Sequence, residues 1–167
     1  IIWRVGPDYG PATPWASLGQ IIGPHKAHII PETLPGGGNI LVFSNGGQSR
    51  YGSLRDDCPG AYPSAVSDYS RVIEFDPITY EVKWEYQNTA EFTDSNGNLN
   101  RRFYSTFMCG AQRLENGNTL ITETGKGRVF EVTKQGEIVW EYIAGIETVT
   151  QPIFGSAVYR AYKVPRT

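Results

Sequence analysis

Apolar and polar residues alternate with a period of two in two similar stretches of this chain. The first stretch comprises residues 70–76 (SRVIEFD) and 81–86 (EVKWEY), and the second comprises residues 127–133 (GRVFEVT) and 137–142 (EIVWEY). A period of two predicts β-strands, because successive side chains of a strand point to opposite faces of its sheet. Turn residues join the halves of each stretch, Asp76-Pro77 in the first and Lys134-Gln135-Gly136 in the second. Each stretch is therefore predicted to form a β-hairpin.

A second predicted hairpin precedes each of these stretches. Its strands and turn are residues 28–34 (HIIPETL), 36–39 (GGGN) and 40–43 (ILVF) in the first copy, and residues 111–114 (AQRL), 116–118 (NGN) and 119–122 (TLIT) in the second. Turns that contain Gly and Asn favour tight hairpins. Four strands per unit, repeated after several tens of residues, are the sequence signature of a β-propeller blade. We therefore predict an all-β fold with two complete blades of four antiparallel strands, at about residues 28–86 and 111–142.

The two ends of the chain fit the same repeat. Residues 1–5 (IIWRV) resemble the last strand of a preceding blade, and residues 156–164 (SAVYRAYKV) contain the first strand of a following one. These segments predict two partial blades, so that residues 1–167 belong to a single propeller domain. Propellers close with about four to eight blades. We therefore expect this chain to be part of a longer polypeptide, or to find its remaining blades in another protein chain.

The composition supports strands and narrows the range of partners. The chain has 19 Gly, 11 Pro, 13% aromatic and 19% charged residues, which suits short strands joined by tight turns. Its formal charge is -2 and its basic residues form no stripe, so nucleic acid is not an expected partner. No stretch approaches the roughly 20 apolar residues that span a membrane, so no membrane span is predicted. Trp84 and Tyr86 recur as Trp140 and Tyr142, and these aromatic pairs are predicted to pack between blades.

Two segments between the predicted strands, residues 48–68 and 87–102, are too long for simple hairpin loops and are expected to carry function. The second contains residues 94–100 (DSNGNLN), which resemble a calcium loop without its closing glutamate, and we predict a solvated turn there. His25 and His28 lie three positions apart, on opposite faces of a strand, which disfavours a shared metal ion. No metal site and no cofactor are predicted.

The only two histidines, His25 and His28, lie in the segment 23–28 (GPHKAH). The leading end of a blade's first strand lies near the central channel of a propeller, so His25 is a candidate for contact with a substrate. The alternative is an ordinary histidine that is hydrogen-bonded at a turn. Cys58 and Cys109 form one disulfide in an oxidising compartment, or they remain two separate buried thiols.

An ordered series of short segments along nearly the whole chain resembles the arylsulfotransferase family. In order, these segments are residues 1–4 (IIWR), 23–28 (GPHKAH), 41–46 (LVFSNG), 69–72 (YSRV), 84–86 (WEY), 103–105 (FYS), 110–114 (GAQRL) with 116–118 (NGN), and 159–162 (YRAY). The resemblance implies a quinoprotein-like β-propeller and a periplasmic or secreted enzyme. Such an enzyme moves a sulfuryl group from a phenolic sulfate to another phenol through a sulfohistidine, without a nucleotide donor or a cofactor.

For this chain, the resemblance implies that His25 is the catalytic histidine and Arg50 the catalytic arginine that contacts sulfate. The predicted substrate-binding residues are His28, Tyr104 and Arg128. A neutral imidazole attacks sulfur in this chemistry, and hydrogen-bond donors stabilise charge on the transferred group. The family's site draws histidines from more than one blade, whereas this chain has them in one segment, and Lys26 and Ser44 replace acidic residues. The alternative function is therefore a non-catalytic propeller that serves as a binding or scaffold module in an extracytoplasmic assembly.

Overall fold

The computed structural model describes residues 3–6, 9–47, 67, 69–144 and 157–164, which form ten β-strands and two short 3-10 turns. The strands are β1 (Pro24–Ile29), β2 (Ile40–Ser44), β3 (Arg71–Phe75), β4 (Val82–Gln87), β5 (Glu91–Thr93), β6 (Leu99–Arg101), β7 (Gly110–Arg113), β8 (Thr119–Glu123), β9 (Arg128–Val132) and β10 (Ile138–Ile143). The 3-10 turns are Ala16–Leu18 and Thr124–Lys126. Every strand pair is antiparallel, and the predicted all-β class is confirmed.

Two four-stranded sheets have the same topology. Sheet 1 has the strand order β1-β2-β3-β4, and sheet 2 consists of β7, β8, β9 and β10 in the corresponding order. A separate hairpin pairs β5 with β6. Equivalent residues of the sequence repeat have equivalent registers, since Leu41 lies opposite Glu74 in sheet 1 and Leu120 lies opposite Glu131 in sheet 2. The repeat in the sequence is therefore also a structural repeat.

The main hydrophobic core lies between the two sheets, where β7 contacts β2. Its buried members are Ile30, Leu41, Phe43, Val72, Trp84 and Tyr86 on the side of sheet 1, and Phe103, Cys109, Ala111, Ile121, Phe130 and Val132 on the side of sheet 2. The ring centroid of Phe103 lies 5.1 Å from that of Tyr86 and 5.5 Å from that of Phe43. Such edge-to-face contacts add to the stabilisation that burial provides. The two sheets thus pack face to face.

The outer faces of the sheets are covered by different segments. On sheet 1, the N-terminal segment covers Val42 and Ile73, with Leu18 fully buried against them. On sheet 2, residues 157–164 cover only part of the face, where Val158 and Ala161 pack against the cluster of Leu114, Leu120 and Val129. All residues of β10 are exposed. In the described part of the chain, the outer side of sheet 2 is therefore only half covered.

The predicted burial of Trp140 and Tyr142 differs from the structure. Their counterparts Trp84 and Tyr86 are only 8% and 5% exposed, whereas Trp140 and Tyr142 are 50% and 51% exposed. Sheet 2 covers the first pair, but in the part of the chain that the structure describes no sheet covers the second pair. The sequence repeat predicts a packing face, and burial of that face requires a neighbouring sheet.

The first strand begins earlier than the sequence pattern predicts. β1 spans Pro24–Ile29 instead of starting at His28, and residues 32–39 form turns and bends. His25 pairs with Phe43, and the register shifts between His25 and His28. Lys26 lies at this irregularity with a φ of 54°, a left-handed value that non-glycine residues rarely adopt. Such an irregularity interrupts the period of two by which a strand is recognised in a sequence.

The segment of residues 87–102 contains the β5–β6 hairpin instead of an irregular loop. Its predicted turn is confirmed, because Asp94 Oδ1 accepts hydrogen bonds from the backbone N–H groups of Asn96 and Asn98, both at 2.9 Å. These bonds, with that of Asn98 the stronger influence, hold the pKa of Asp94 below its ordinary value. The other long segment, residues 48–68, lies outside the described residues except for Ser67.

The described parts of the two predicted partial blades, residues 3–5 and 157–164, contain no assigned strand, and residues 1–2 and 156 lie outside the described chain. The C-terminal segment nevertheless lies along β7. The backbone N–H of Lys163 donates to Gln112 Oε1 at 2.9 Å, and Gln112 Nε2 donates to the carbonyl oxygen of Lys163 at 3.1 Å. Among the described residues, no helix has the length and apolar character needed to cross a membrane.

Candidate functional site

His25 lies in β1, is half-buried, and has an orientation fixed by its neighbours. Its Nδ1 is 2.8 Å from Asn45 Oδ1 and 3.1 Å from the carbonyl oxygen of Gly23. Asn45 Nδ2 donates to the carbonyl oxygen of Ser105 at 2.8 Å, and this bond fixes which end of the amide faces His25. Both groups at Nδ1 are therefore acceptors. In the neutral ring, Nδ1 carries the proton and Nε2 carries the lone pair.

A buried network holds Asn45 in place. Ser70 Oγ donates to the carbonyl oxygen of Asn45 at 2.6 Å and accepts a hydrogen bond from the backbone N–H of Ser105 at 2.9 Å. Asn45 and Ser70 are fully buried, and Ser105 is nearly so. The network joins the end of β2 and the start of β3 to the segment that leads into sheet 2. The orientation of His25 thus depends on the packing of both sheets.

The Nε2 atom of His25 has no hydrogen-bond partner among the residues that the structure describes. A neutral imidazole nitrogen with a lone pair acts as a nucleophile or as a general base. The hydrogen bonds at Nδ1 also stabilise the positive charge that develops on the ring when Nε2 forms a new bond. Hydrogen bonds at Nδ1 therefore fix the ring of His25, and its Nε2 has no hydrogen-bond partner in the described part of the chain.

Next to His25 in β1, Lys26 extends toward the C-terminal segment. Its Nζ donates to the hydroxyl oxygen of Tyr162 at 2.6 Å and lies 4.2 Å from the centroid of the same ring. Arg160 Nη1 reaches the same hydroxyl at 3.5 Å. The hydrogen bond from Lys26, followed by that from Arg160, lowers the pKa of Tyr162. The cluster of Lys26, Arg160 and Tyr162 is called the cationic cluster below.

Of the predicted residues His28 and Arg50, the structure describes only His28. His28 lies in β1, is half-buried, and donates from Nδ1 to the carbonyl oxygen of Lys26 at 3.0 Å if that nitrogen carries the proton. His28 shares β1 with Lys26 of the cationic cluster, and its role in substrate binding stays a prediction. Arg50 lies outside the described residues, so its predicted role as the catalytic arginine also stays a prediction.

Tyr104 and Arg128 meet at a carboxylate instead of at His25. The backbone N–H of Tyr104 donates to Glu123 Oε1 at 2.9 Å, and Arg128 Nη1 lies 3.3 Å from Glu123 Oε2. Glu123 is fully buried. Arg128 also pairs with Glu141, and its guanidinium lies 4.2 Å from the ring centroid of Phe130. These contacts tie Arg128 to β8, β9 and β10, and the roles of Tyr104 and Arg128 in substrate binding stay predictions.

Cys109 is a buried free thiol beside the His25 network. Burial raises its pKa, although hydrogen bonds from neighbouring groups oppose this effect. The backbone N–H of Thr124 donates to Cys109 Sγ at 3.3 Å. A protonated, buried thiol of this kind is a packing residue. The free thiol of Cys109 agrees with the alternative of two separate thiols, and Cys58 itself lies outside the described residues.

A cleft of about 660 Å³ lies between the turns of the two sheets, where Trp84, Glu74 and Arg113 line it. Arg113 Nη2 is 2.6 Å from Glu74 Oε2, and Asn39 Nδ2 donates to the other carboxylate oxygen at 2.6 Å. The charges of Glu74 and Arg113 therefore neutralise each other, and Lys83 and Lys134 also line the cleft. No group of three or more His, Cys, Asp or Glu side chains suited to a metal ion occurs among the described residues.

Sequence reasoning missed Asn45 and the cationic cluster. Asn45 immediately follows β2, and Thr124 immediately follows β8, which marks both as the same position of the repeat. Thr124 Oγ1 accepts a hydrogen bond from the backbone N–H of Cys109 at 2.9 Å, much as Asn45 binds His25. Aligning the two repeats residue by residue would have indicated that a polar side chain at this position forms a hydrogen bond next to the first strand of each sheet. The contact of Lys26 with Tyr162 spans 136 positions, and no local pattern indicates it.

We compared the chain with known proteins at three levels. No protein-family profile, no curated protein and no solved structure matches it.

Proposed function

We propose that this chain is part of a β-propeller of the arylsulfotransferase type, acting in the periplasm or outside the cell, in which His25 transfers a sulfuryl group between phenols. The observation that carries the proposal is the hydrogen bond between His25 Nδ1 and Asn45 Oδ1 at 2.8 Å. It favours the tautomer with the lone pair on Nε2, which is the form that attacks sulfur.

The propeller part of the proposal is supported by the sheets. Both are four-stranded meanders of one repeat, and they pack face to face with β7 against β2. Successive blades of a propeller pack in this way around a central channel. β1 and β7 are the first strands of their sheets, and residues 157–164 would be the first strand of a third repeat. In a propeller these three segments would line the channel, and His25 and Lys26 would lie at it.

The proposed reaction has two steps. First, His25 Nε2 forms a bond to the sulfur of a phenolic sulfate while the bond from sulfur to the phenol oxygen breaks. The phenolate leaves with the electron pair and is protonated by solvent. The sulfated ring carries a positive charge, which Asn45 Oδ1 stabilises through the proton on Nδ1. Second, an acceptor phenol gives its proton to solvent, its oxygen bonds to sulfur, and the nitrogen–sulfur bond breaks to restore neutral His25.

The test is transfer from 4-nitrophenyl sulfate to a phenol. His25→Ala should lower kcat by about 10³-fold or more, because it removes the nucleophile. Asn45→Ala should lower kcat by about 10-fold to 100-fold, because it removes the group that orients the ring. Lys134→Gln is the matched control, since Lys134 is exposed in the turn between β9 and β10. Near-UV circular dichroism checks that each variant keeps its packing.

A second measurement looks for the intermediate directly. The protein is mixed with 4-nitrophenyl sulfate without an acceptor and digested under alkaline conditions. Mass spectrometry should then find the sulfuryl group on the peptide that contains His25. Full turnover by a folded His25→Ala variant would contradict the proposal, and so would a sulfuryl group found on another residue.

The open face of sheet 2 favours a second candidate function, a non-catalytic binding or scaffold module. Trp140 and Tyr142 are half exposed at positions where Trp84 and Tyr86 are covered by the next sheet. The occupant that fits this face is another four-stranded sheet of the same repeat. For a scaffold, Trp140→Glu should reduce the mass of the purified assembly in solution, while His25→Ala leaves it unchanged. Loss of sulfuryl transfer in His25→Ala would speak for the enzyme instead.

A further inference from the structure

The cationic cluster contains two positive charges, those of Lys26 and Arg160. No described carboxylate forms an ion pair with Lys26 or Arg160. Other basic residues of the two sheets and the C-terminal segment pair with glutamates, namely Arg71, Arg113, Arg128 and Lys163. Lys26 and Arg160 are both half-buried, and the point at which they meet Tyr162 is open to solvent. An unneutralised pair of cations in this setting attracts an anion from solution.

Gly110 of β7 brings the two cations together. A Cβ atom placed on Gly110 would lie 3.5 Å from Lys26 Cβ and Cγ and 3.6 Å from Arg160 Nε. Both side chains therefore pass over the same glycine, one from β1 and one from the C-terminal segment. They converge on the Tyr162 hydroxyl, at 2.6 Å and 3.5 Å. Three polar groups from two distant parts of the chain thus meet at one point.

We propose that Lys26, Arg160 and Tyr162 form a binding site for a tetrahedral oxyanion, the sulfate or phosphate group of a free ion or of a monoester. This proposal does not depend on sulfuryl transfer at His25. Lys26 has three N–H donors and uses one on Tyr162, and Arg160 keeps further donors of its planar fork. The Tyr162 hydroxyl accepts hydrogen bonds from both cations, so its own proton is available to a bound anion. Donors on three separate side chains suit the spread oxygens of a tetrahedral group.

The titration of Tyr162 is coupled to this binding. The charged groups around Tyr162 are Lys26 from β1 and Arg160 and Lys163 from its own segment, and Lys163 Nζ lies 3.0 Å from Glu131. Gln112, which faces this segment from β7, is neutral. Lys26 and Arg160 lower the pKa of Tyr162, so the phenolate forms at a lower pH than for an isolated tyrosine. A phenolate repels an anion and cannot donate, so affinity falls as the pH rises through this pKa.

Binding is measured by NMR titration with inorganic sulfate and inorganic phosphate, with sodium chloride adjusted to keep the ionic strength constant. Phenyl phosphate is the monoester probe and acetate is the planar control. Lys26→Gln and Arg160→Gln should each weaken sulfate binding about tenfold, because each removes charged donors. Lys134→Gln should leave the affinity unchanged. Tighter binding of phenyl phosphate than of inorganic phosphate would identify a monoester as the ligand, and equal binding would identify the free ion.

A second experiment follows tyrosinate absorbance against pH. A saturating concentration of sulfate should raise the pKa of Tyr162, and Tyr162→Phe should remove this sulfate-dependent titration. Tyr142→Phe is the control, since Tyr142 is half exposed on β10, and it should retain the effect. Equal weakening of sulfate binding by Lys134→Gln and Lys26→Gln would overturn the proposal. So would the absence of saturable sulfate and phosphate binding by the intact chain, whether or not the chain transfers sulfuryl groups.

Discussion

Two copies of one repeat in this chain have the same local structure and different surroundings. Trp84 lies opposite Glu74, and Trp140 lies opposite Glu131, so the two tryptophans hold the same position in the strand register. Trp84 is 8% exposed and Trp140 is 50% exposed. Sheet 2 covers the first tryptophan, and among the described residues only the segment 157–164 approaches the face that carries the second. Burial of a residue on this face of the repeat is therefore decided by the neighbouring sheet, while the formation of its strand is decided locally.

The carboxylates of the two repeats differ in the same way. Glu74 pairs with Arg113 at 2.6 Å, and both side chains are buried. Glu131 pairs with Lys163 at 3.0 Å, but Lys163 is 57% exposed. Each carboxylate receives its cation from the following repeat, at the same place in the structure. The ion pair of Glu74 and Arg113 is enclosed between the two sheets, whereas the ion pair of Glu131 and Lys163 is in contact with water.

The largest expected difference in the free energy of unfolding is between alanine variants of the two tryptophans. Trp84→Ala should lower the free energy of unfolding by about 3–5 kcal/mol, because it leaves a cavity between the sheets. It also removes the hydrogen bond from Trp84 Nε1 to the carbonyl oxygen of Lys134, at 2.9 Å. Trp140→Ala should lower the free energy of unfolding by about 0.5 kcal/mol, as for other exposed positions. Urea denaturation of both variants measures the difference, and equal destabilisation would contradict the open face on sheet 2.

A comparable difference is expected between the two cations. Arg113→Met should destabilise the chain by about 3–5 kcal/mol, because it leaves the Glu74 carboxylate buried without its partner. Lys163→Met should cost at most about 1 kcal/mol, because its ammonium is exposed. The double variant Glu74→Gln with Arg113→Met is the control and should recover part of the loss. If Glu74→Gln adds a further loss of stability to Arg113→Met, the buried pair does not explain the effect.

The smallest expected effect is a pH dependence from Glu131. Burial by itself raises the pKa of Glu131. Hydrogen bonds from Asn116 and Asn118 and the ammonium of Lys163 together lower the pKa by more than burial raises it, so the net pKa lies below the ordinary value. The folded state therefore favours the ionised carboxylate. Its contribution to stability is present above the unfolded pKa of about 4.3 and is lost as the pH falls through the lower folded pKa.

Denaturation at a series of pH values checks this effect. Glu131→Gln should remove part of the stability at neutral pH and should flatten its loss in the acid range. Glu137→Gln is the control, because Glu137 is exposed in the turn before β10. The same acid profile for the intact chain and for Glu131→Gln would show that Glu131 does not titrate in this way.

Local sequence patterns were sufficient to predict the all-β class and most strands. The period of two in residues 70–86 and 127–142 is a property of extended chain. β3 and β9 lie within those ranges, and β4 and β10 extend one residue beyond them. The start of β1 was missed because the irregularity at Lys26 interrupts the period, and the β5–β6 hairpin was missed because its strands have three residues each. For the candidate site, the sequence indicated His25, since only two histidines are present.

The sequence by itself determined the repeat, the hairpins and the histidine on which the proposed chemistry depends, because these follow from neighbouring residues. Only the tertiary structure decided that Asn45 fixes the tautomer of His25, that Arg128 is bound by glutamates, and that Lys26 meets Tyr162. It also decided that Trp140 is exposed while Trp84 is buried. The contacts of Asn45 with His25 and of Lys26 with Tyr162 join residues 20 and 136 positions apart, and those of Arg128 join residues 5 and 13 positions apart across paired strands. Alternation along a strand predicts which residues share a face, but only the folded chain determines what covers that face.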